Sequence, residues 1–429
     1  MPRMLRSCTL LALAISVAPA ALPAQTITFA APKTISFTLP DSAGVVRYSA
    51  ADFTGNGKTD YLLEAWNQGD LLDFALLIGD GSGNFTLQET NVPIPTTGDG
   101  TPGQYRVADV NYDGKADIIT FLPGCQKPFN NNCSSGTYGT IKVYLNQGGG
   151  RFINTYTSTL PQFLETINIA VGYFNGDRLP DVAVLSTTSI GVTGPNAALT
   201  LFLNKGDGLF TRQADTNLPA GMTSFATSTG NLVAGDFTGN GREDLVFSYD
   251  SEPGGPTPNG LVYRLPNNGT GSFGTPVLAY KFGSPGGGLF ATGDLNDDGR
   301  TDLIYAGGTR DMIALLANTA GGFTLGASTH YYIEFVFQWA LADVNGDGKL
   351  DLAIAGGNDN DNVPIAAIYP GIGNGTFNLS YKAIHPSGGE GTIFAGMMAI
   401  APLAKGDLPS VMFLTGPTTL ELYVNKTVK

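Results

Sequence analysis

Nine residues, Asp343-Val-Asn-Gly-Asp-Gly-Lys-Leu-Asp351, place carboxylate or carboxamide oxygens at positions one, three, five and nine, with glycine at position six. In a tight loop, alternate residues aim their oxygens inward, and the glycine permits the sharp turn. Hard divalent cations are held by oxygen donors of this kind, so the spacing suits a calcium loop. Asn and Asp also bond their own backbone in turns, so a plain turn without an ion is the alternative.

The pattern returns at Asp52–Asp60, Asp109–Asp117, Asp236–Asp244 and Asp294–Asp302, in altered form at Tyr173–Asp181, and faintly at Pro402–Ser410. These seven starting points lie 49 to 64 residues apart and fill the chain. The candidate ligands are Asp52, Asn56 and Asp60; Asp109, Asn111, Asp113 and Asp117; Asp236, Asn240 and Asp244; Asp294, Asn296, Asp298 and Asp302; and Asp343, Asn345, Asp347 and Asp351. Thr54 and Thr238 stand where the other loops carry Asn. Tyr173 and Arg178 weaken the third loop, and Pro402, Ala404 and Ser410 remove the ligands from the seventh. About five calcium ions follow.

Each loop precedes a short apolar run such as Ile118-Ile-Thr-Phe121, and a second run ends in a Gly-rich turn and a phenylalanine at Phe85, Phe152, Phe210, Phe273, Phe323 and Phe377. One unit is therefore four strands, with the acidic loop between the first and second. Immediately before the loops stand Ala51, Ala108, Gly172, Gly235, Gly293, Ala342 and Ala401, all small. Four residues before them stand Tyr48, Tyr105, Ile169, Leu232, Phe290, Trp339 and Met398, all bulky. Successive strand side chains point to opposite faces, so one face is small and the other packed. Seven such strands converging on a narrow axis predict an all-β, seven-bladed propeller, with Trp339 in the core between blades. The last unit stops after three strands, and the segment from Thr26 to Phe37 resembles a fourth, so it is expected to complete the last blade and close the ring.

With these residues in view, the repeat resembles the FG-GAP and VCBS repeats, the calcium-binding blades of integrin alpha-subunit propellers and of many secreted bacterial proteins. The resemblance covers residues 26–429. It implies that the ninth-position Asp closes the ion site, with the carbonyls of Lys58, Lys115, Arg242, Arg300 and Lys349 as further oxygens. An EF-hand would instead need a Glu at position twelve, where Leu63, Thr120, Phe247, Tyr305 and Ile354 stand.

The remaining features bound what the chain can do. Residues 1–24 carry Arg3 and Arg6, an apolar stretch, and small-residue cleavage sites after Ala20 or Ala24, the pattern of an export signal. Residues 25–429 then form one propeller, secreted, periplasmic or at the cell surface, expected to be a monomer. No later stretch is long enough to span a membrane. Cys125 and Cys133 are expected to form a disulfide in an oxidising compartment. A formal charge of −13, without clustered Lys and Arg, argues against a nucleic-acid partner. Calcium would offset part of this charge.

Chain direction puts the acidic loops and Gly-rich turns on one face. The longer, unalike connections, including residues 122–140, 186–197 and 249–260, lie on the other, where propellers place recognition. Five residues before the loops, at that mouth of the channel, stand Arg47, Gln104, Asn168, Asn231, Leu289, Gln338 and Met397, with Arg106 just beneath. Guanidinium and amide groups there suit sugar hydroxyls, a carboxylate or a peptide backbone, and equally an ordered-water plug. The expectation is a binding or adhesion module for glycan or protein. The alternative is a polysaccharide-active lyase or hydrolase using Glu334 and Glu390, the uncommitted acids nearest this face.

Overall fold

The computed structural model describes residues 26–40, 43–66, 73–95, 103–122, 139–160, 164–188, 197–218, 232–250, 260–282, 290–306, 311–330, 335–357, 364–387 and 398–428. Cys125, Cys133, Asn231, Leu289, Glu334, Glu390, Met397 and residues 1–25 lie outside them, as does most of each connection on the variable face.

The described residues form seven antiparallel sheets, each built from consecutive strands except the last. Blade one runs Gly44–Ala51, Asp60–Trp66, Asp73–Gly79 and Phe85–Pro93. Blade two runs Gln104–Ala108, Asp117–Leu122, Thr140–Asn146 and Phe152–Thr159. Blades three to six open with Leu164–Gly172, Leu232–Gly235, Phe290–Gly293 and Phe335–Ala342. In blade three the fourth position is shared by two short strands, Phe210–Arg212 and Thr216–Asn217, both paired with Ala197–Asn204. Blade seven takes Met398–Ala401, Ser410–Gly416 and Thr419–Tyr423 from the C-terminal end and Lys33–Ser36 from the N-terminal end. The register there is Lys33 against Leu422 and Ile35 against Leu420, extended by a bridge between Phe29 and Asn425. The expected ring closure is present.

Why the second strands read as unbroken apolar runs is explained by packing. Ile118–Phe121 is buried throughout, because a blade's second strand is covered on both faces by its neighbours. In blade one, Tyr61 and Leu63 join a cluster with Met412 and Leu414 of blade seven, whereas Leu62 joins one with Ile118 of blade two. Seven such clusters occupy the seven interfaces. Trp339 lies in the one between blades five and six, 8% exposed, as expected.

The first strands approach one another around the axis and are terminal strands of their sheets, so each turns a free edge to the channel. Their bulky residues face the preceding blade: Tyr105 packs with Phe74 of blade one, and Tyr48 donates to the Met412 carbonyl of blade seven at 2.7 Å. Their small residues meet position eight of the next blade's loop. A Cβ on Gly293 would stand 2.3 Å from Leu350, and one on Gly235 2.7 Å from Thr301. Glycine is needed there for space.

Candidate functional site

The acidic loops close on their own backbone. In Asp343–Asp351, Oδ1 of Asp343 accepts from the N–H of Gly346 at 2.6 Å and of Asp347 at 3.1 Å, and its Oδ2 accepts from Gly348 at 3.0 Å. Asn345 accepts from the Asp347 N–H, and Asp347 from that of Lys349. Two loop positions adopt left-handed backbone. Position six, read from the sequence, is one; position four is the other, with Gly346 at φ 78° and Gly348 at 85°. Tyr112 and Asp297 occupy position four at φ 57° and 58°, and Arg178 occupies position six at 68°. The third loop therefore keeps the shape of the other loops despite its altered sequence. Since an L-residue in this region is strained by roughly 1 kcal/mol or more, Arg178→Gly is expected to stabilise the fold by about 0.5–1 kcal/mol. Urea midpoints of the two proteins check it.

The ninth-position Asp has a constant job. Asp117 is fully buried; its Oδ2 accepts from the Val110 N–H at 2.9 Å and its Oδ1 from the Asn146 N–H at 2.8 Å. Asp60, Asp181, Asp302 and Asp351 do the same with Phe53 and Gly79, Phe174 and Asn204, Leu295 and Ala317, and Val344 and Gly371. Each carboxylate pins the acidic loop to the end of the third strand. Ser410 retains one half of this in blade seven, its hydroxyl accepting from the Asn425 N–H. Blade four differs: Oδ2 of Asp244 takes the Arg264 guanidinium at 2.6 Å instead of a loop N–H, and Arg264 also reaches the Gly321 carbonyl of blade five.

Burial, partly offset by the N–H bonds, raises these carboxyls: Asp117 to about 7, and Asp181, Asp302 and Asp351 to about 6. Asp113 and Asp109 push Asp117 further up by repulsion, which a nearby cation would relieve. The donor set is all oxygen and fits calcium in kind. The carboxylates in this arrangement turn to backbone N–H groups, and among the described residues no three acidic, His or Cys side chains gather closely enough to hold a metal.

The sequence reading missed the asparagine that ends the third strand. Asn146 is 1% exposed; its Nδ2 donates to the Phe53 carbonyl of blade one at 2.8 Å and to Ala116 at 3.0 Å, and its Oδ1 accepts from Gly148. Asn204 and Asn425 repeat the reach to Val110 and Val344 of the preceding blades. The signal was an Asn just before the Gly-rich turn. Asn146→Ala would strand two buried carbonyls, so a loss of about 2–4 kcal/mol is expected in urea unfolding.

At the channel mouth, Arg47, Arg106 and Gln338 of the expected ligand residues join blades. The Arg47 guanidinium pairs with buried Glu64 at 2.7 and 3.0 Å, donates to the Gly103 carbonyl of blade two at 2.8 Å, and lies 5.6 Å from the Tyr105 ring centre. Arg106 donates from Nε and Nη2 to the Ile169 carbonyl of blade three, at 3.2 and 2.9 Å, and from Nη1 to Tyr105 at 2.8 Å. Burial and the nearby Arg47 push Arg106 down to about 10. The Gln338 carbonyl accepts from the Met398 N–H of blade seven. Gln104 is partly exposed and Asn168 is 3% exposed. Long polar side chains here reach the next blade's first strand at its free edge. Glu64, in a second strand, was not legible as their partner, because its pairing depends on inter-strand register (Arg47 opposite Glu64).

Comparison with known proteins agrees with the repeat. Residues 294–354 match the FG-GAP-like repeat. A stretch of 166 residues, 36% of the chain, is 27% identical to phosphatidylinositol-glycan-specific phospholipase D of Mus musculus, and the match spans 19% of that protein's length. Similar solved structures include the exotype rhamnogalacturonan lyase YesX, with 15% identity, a TM-score of 0.39, and coverage of 87% of this chain and 81% of that one. AofleA from Arthrobotrys oligospora has 11% identity, a TM-score of 0.43, and coverage of 83% and 90%. The Bacillus licheniformis rhamnogalacturonan lyase PL11 has 12% identity, a TM-score of 0.41, and coverage of 94% and 90%.

Proposed function

We propose that this chain, a seven-bladed propeller carrying an FG-GAP-like repeat, is an exported, calcium-stabilised binding module for a glycan or protein ligand. The observation that carries this reading is the inequality of the two faces. On one, short loops of near-constant sequence are closed by repeated hydrogen bonds. On the other, the strand ends lead into connections that differ in length and composition, as segments released from a structural repeat do when they recognise a ligand. Export is proposed from the leader-like residues 1–24. Among the described residues no helix is long and apolar enough to cross a membrane.

Calcium would be held by oxygens at positions one, three, five and nine of the loops beginning at Asp109, Asp294 and Asp343, and at positions one, five and nine of those beginning at Asp52 and Asp236, and would supply charge neutralisation there. The loop residues' own part is to hold the turn and tie it to the third strand. Blade four already has Arg264 against Asp244, so its ion is the one whose loss should matter least.

The test is a glycan array and a panel of extracellular-matrix proteins probed with the secreted chain in millimolar calcium, with product release from the same polysaccharides assayed in parallel. Retained binding without new reducing or unsaturated ends supports a binding module. Turnover would replace it with the polysaccharide-active enzyme, and no binding to either panel would remove it.

A further inference from the structure

Among the described residues, the two arginines at the channel mouth face a single acidic partner. Arg47 is neutralised by Glu64, but Arg106 forms no ion pair among the described residues; its contacts are the carbonyls of Ile169 and Tyr105. A guanidinium carries five N–H groups, and these contacts use three. The two cations are near enough to repel each other, so among the described residues the end of the channel between blades one and three carries one positive charge without an ion-pair partner. Enclosing such a charge without a counter-ion costs several kcal/mol in general, whereas an anion on the remaining N–H groups would gain a charge-assisted pair. The net negative charge of the whole chain does not cancel this, because it is screened beyond roughly 8–10 Å.

A second observation points to a ligand. Asn168 precedes the Ile169 carbonyl that Arg106 grips, is 3% exposed, and its carboxamide makes no hydrogen bond to another described residue. A carboxamide next to the carbonyl that a guanidinium with spare N–H groups grips matches a molecule bearing both hydroxyls and a carboxylate.

We propose that this channel end is a subsite for a uronate, a sugar whose carboxylate is received by Arg106 and whose hydroxyls meet Asn168. The subsite rests on the reading of the chain as a binding module and assigns its ligand to the acidic glycans. Arg106 keeps its contacts to the Ile169 and Tyr105 carbonyls and presents its spare N–H groups to the carboxylate, while Arg47 stays paired with Glu64.

Isothermal titration of the mature chain in calcium with galacturonate, glucuronate, galactose, glucose, acetate and an acidic hexapeptide tests it. The expected result is uronate binding at least tenfold tighter than that of the neutral sugars or acetate, weakening as salt rises. Arg106→Gln should lose that preference and Arg106→Lys should retain most of it, with both melting curves recorded. If Arg106→Gln does not fold, the salt dependence and the Lys variant decide. Uronate binding unchanged in Arg106→Gln, or insensitive to salt, overturns the subsite. Preference for the hexapeptide overturns the sugar assignment. Array binding confined to neutral glycans defeats the subsite while leaving the binding module standing, and no array binding defeats both.

Discussion

Removing residues 26–38 is expected to abolish cooperative folding or to lower the melting temperature by about 10 °C or more. The segment is short, but it supplies the fourth strand of blade seven, pairing Lys33–Ser36 with Leu420–Leu422 and Thr419. It also brings Ile27, 4% exposed, into the cluster between blades six and seven, and Ile35, 8% exposed, into the one between blades seven and one. Burying each such side chain is worth about 1.5–3 kcal/mol, so the two together contribute a large part of the roughly 5–15 kcal/mol that stabilises a typical domain. Backbone bonds add to this: Ala30 donates to Val424, Lys426 to Thr28 and Phe37 to Thr418. Without the strand, the third strand of blade seven becomes an open edge, and edges of that kind pair with other chains. Size-exclusion chromatography of the truncated protein should therefore show association. A monomer melting as the full chain does would refute the closure as a source of stability.

Chelation is expected to have an effect of similar size. An ion that binds only the folded chain stabilises it by mass action, about 2 kcal/mol per site at a fiftyfold excess over its dissociation constant, and five sites make this about 10 kcal/mol. EDTA should lower the melting temperature by about 10 °C or more, and calcium should restore it where magnesium, which demands tighter octahedral geometry, does not. Native mass spectrometry gives the ion count, with five expected. An unmoved melting temperature would leave the loops as hydrogen-bonded turns.

The chelated chain should also respond to pH in a defined direction. Asp117, Asp181, Asp302 and Asp351 titrate higher in the folded chain than in the unfolded one, Asp117 at about 7 and the others at about 6. The folded state therefore holds more protons. The stability this provides is complete below about pH 4 and is lost as pH rises toward 7. In EDTA, these groups should make the melting temperature fall between pH 5 and pH 8, which differential scanning fluorimetry would detect.

By their spacing alone, Asp343–Asp351 and its relatives determined much of this protein. Their spacing gave seven units, the small residues before them gave a narrow axis, and the unpaired segment from Thr26 to Phe37 gave the closing strand, because each is a periodic or local property of the chain. Tertiary structure decided what the polar groups do. The loop carboxylates could have been ligands or turn-formers by composition alone; their orientation toward backbone N–H groups depends on the second left-handed residue at position four, which Tyr112 and Asp297 conceal. Glu64 against Arg47, Arg264 against Asp244 and Asn146 against Phe53 each join residues 17 to 93 positions apart, through register or blade contact that no local pattern encodes. For the same reason Arg106 was visible as a cation near the channel, but that no acid among the described residues pairs with it became apparent only when the neighbouring strands were in place.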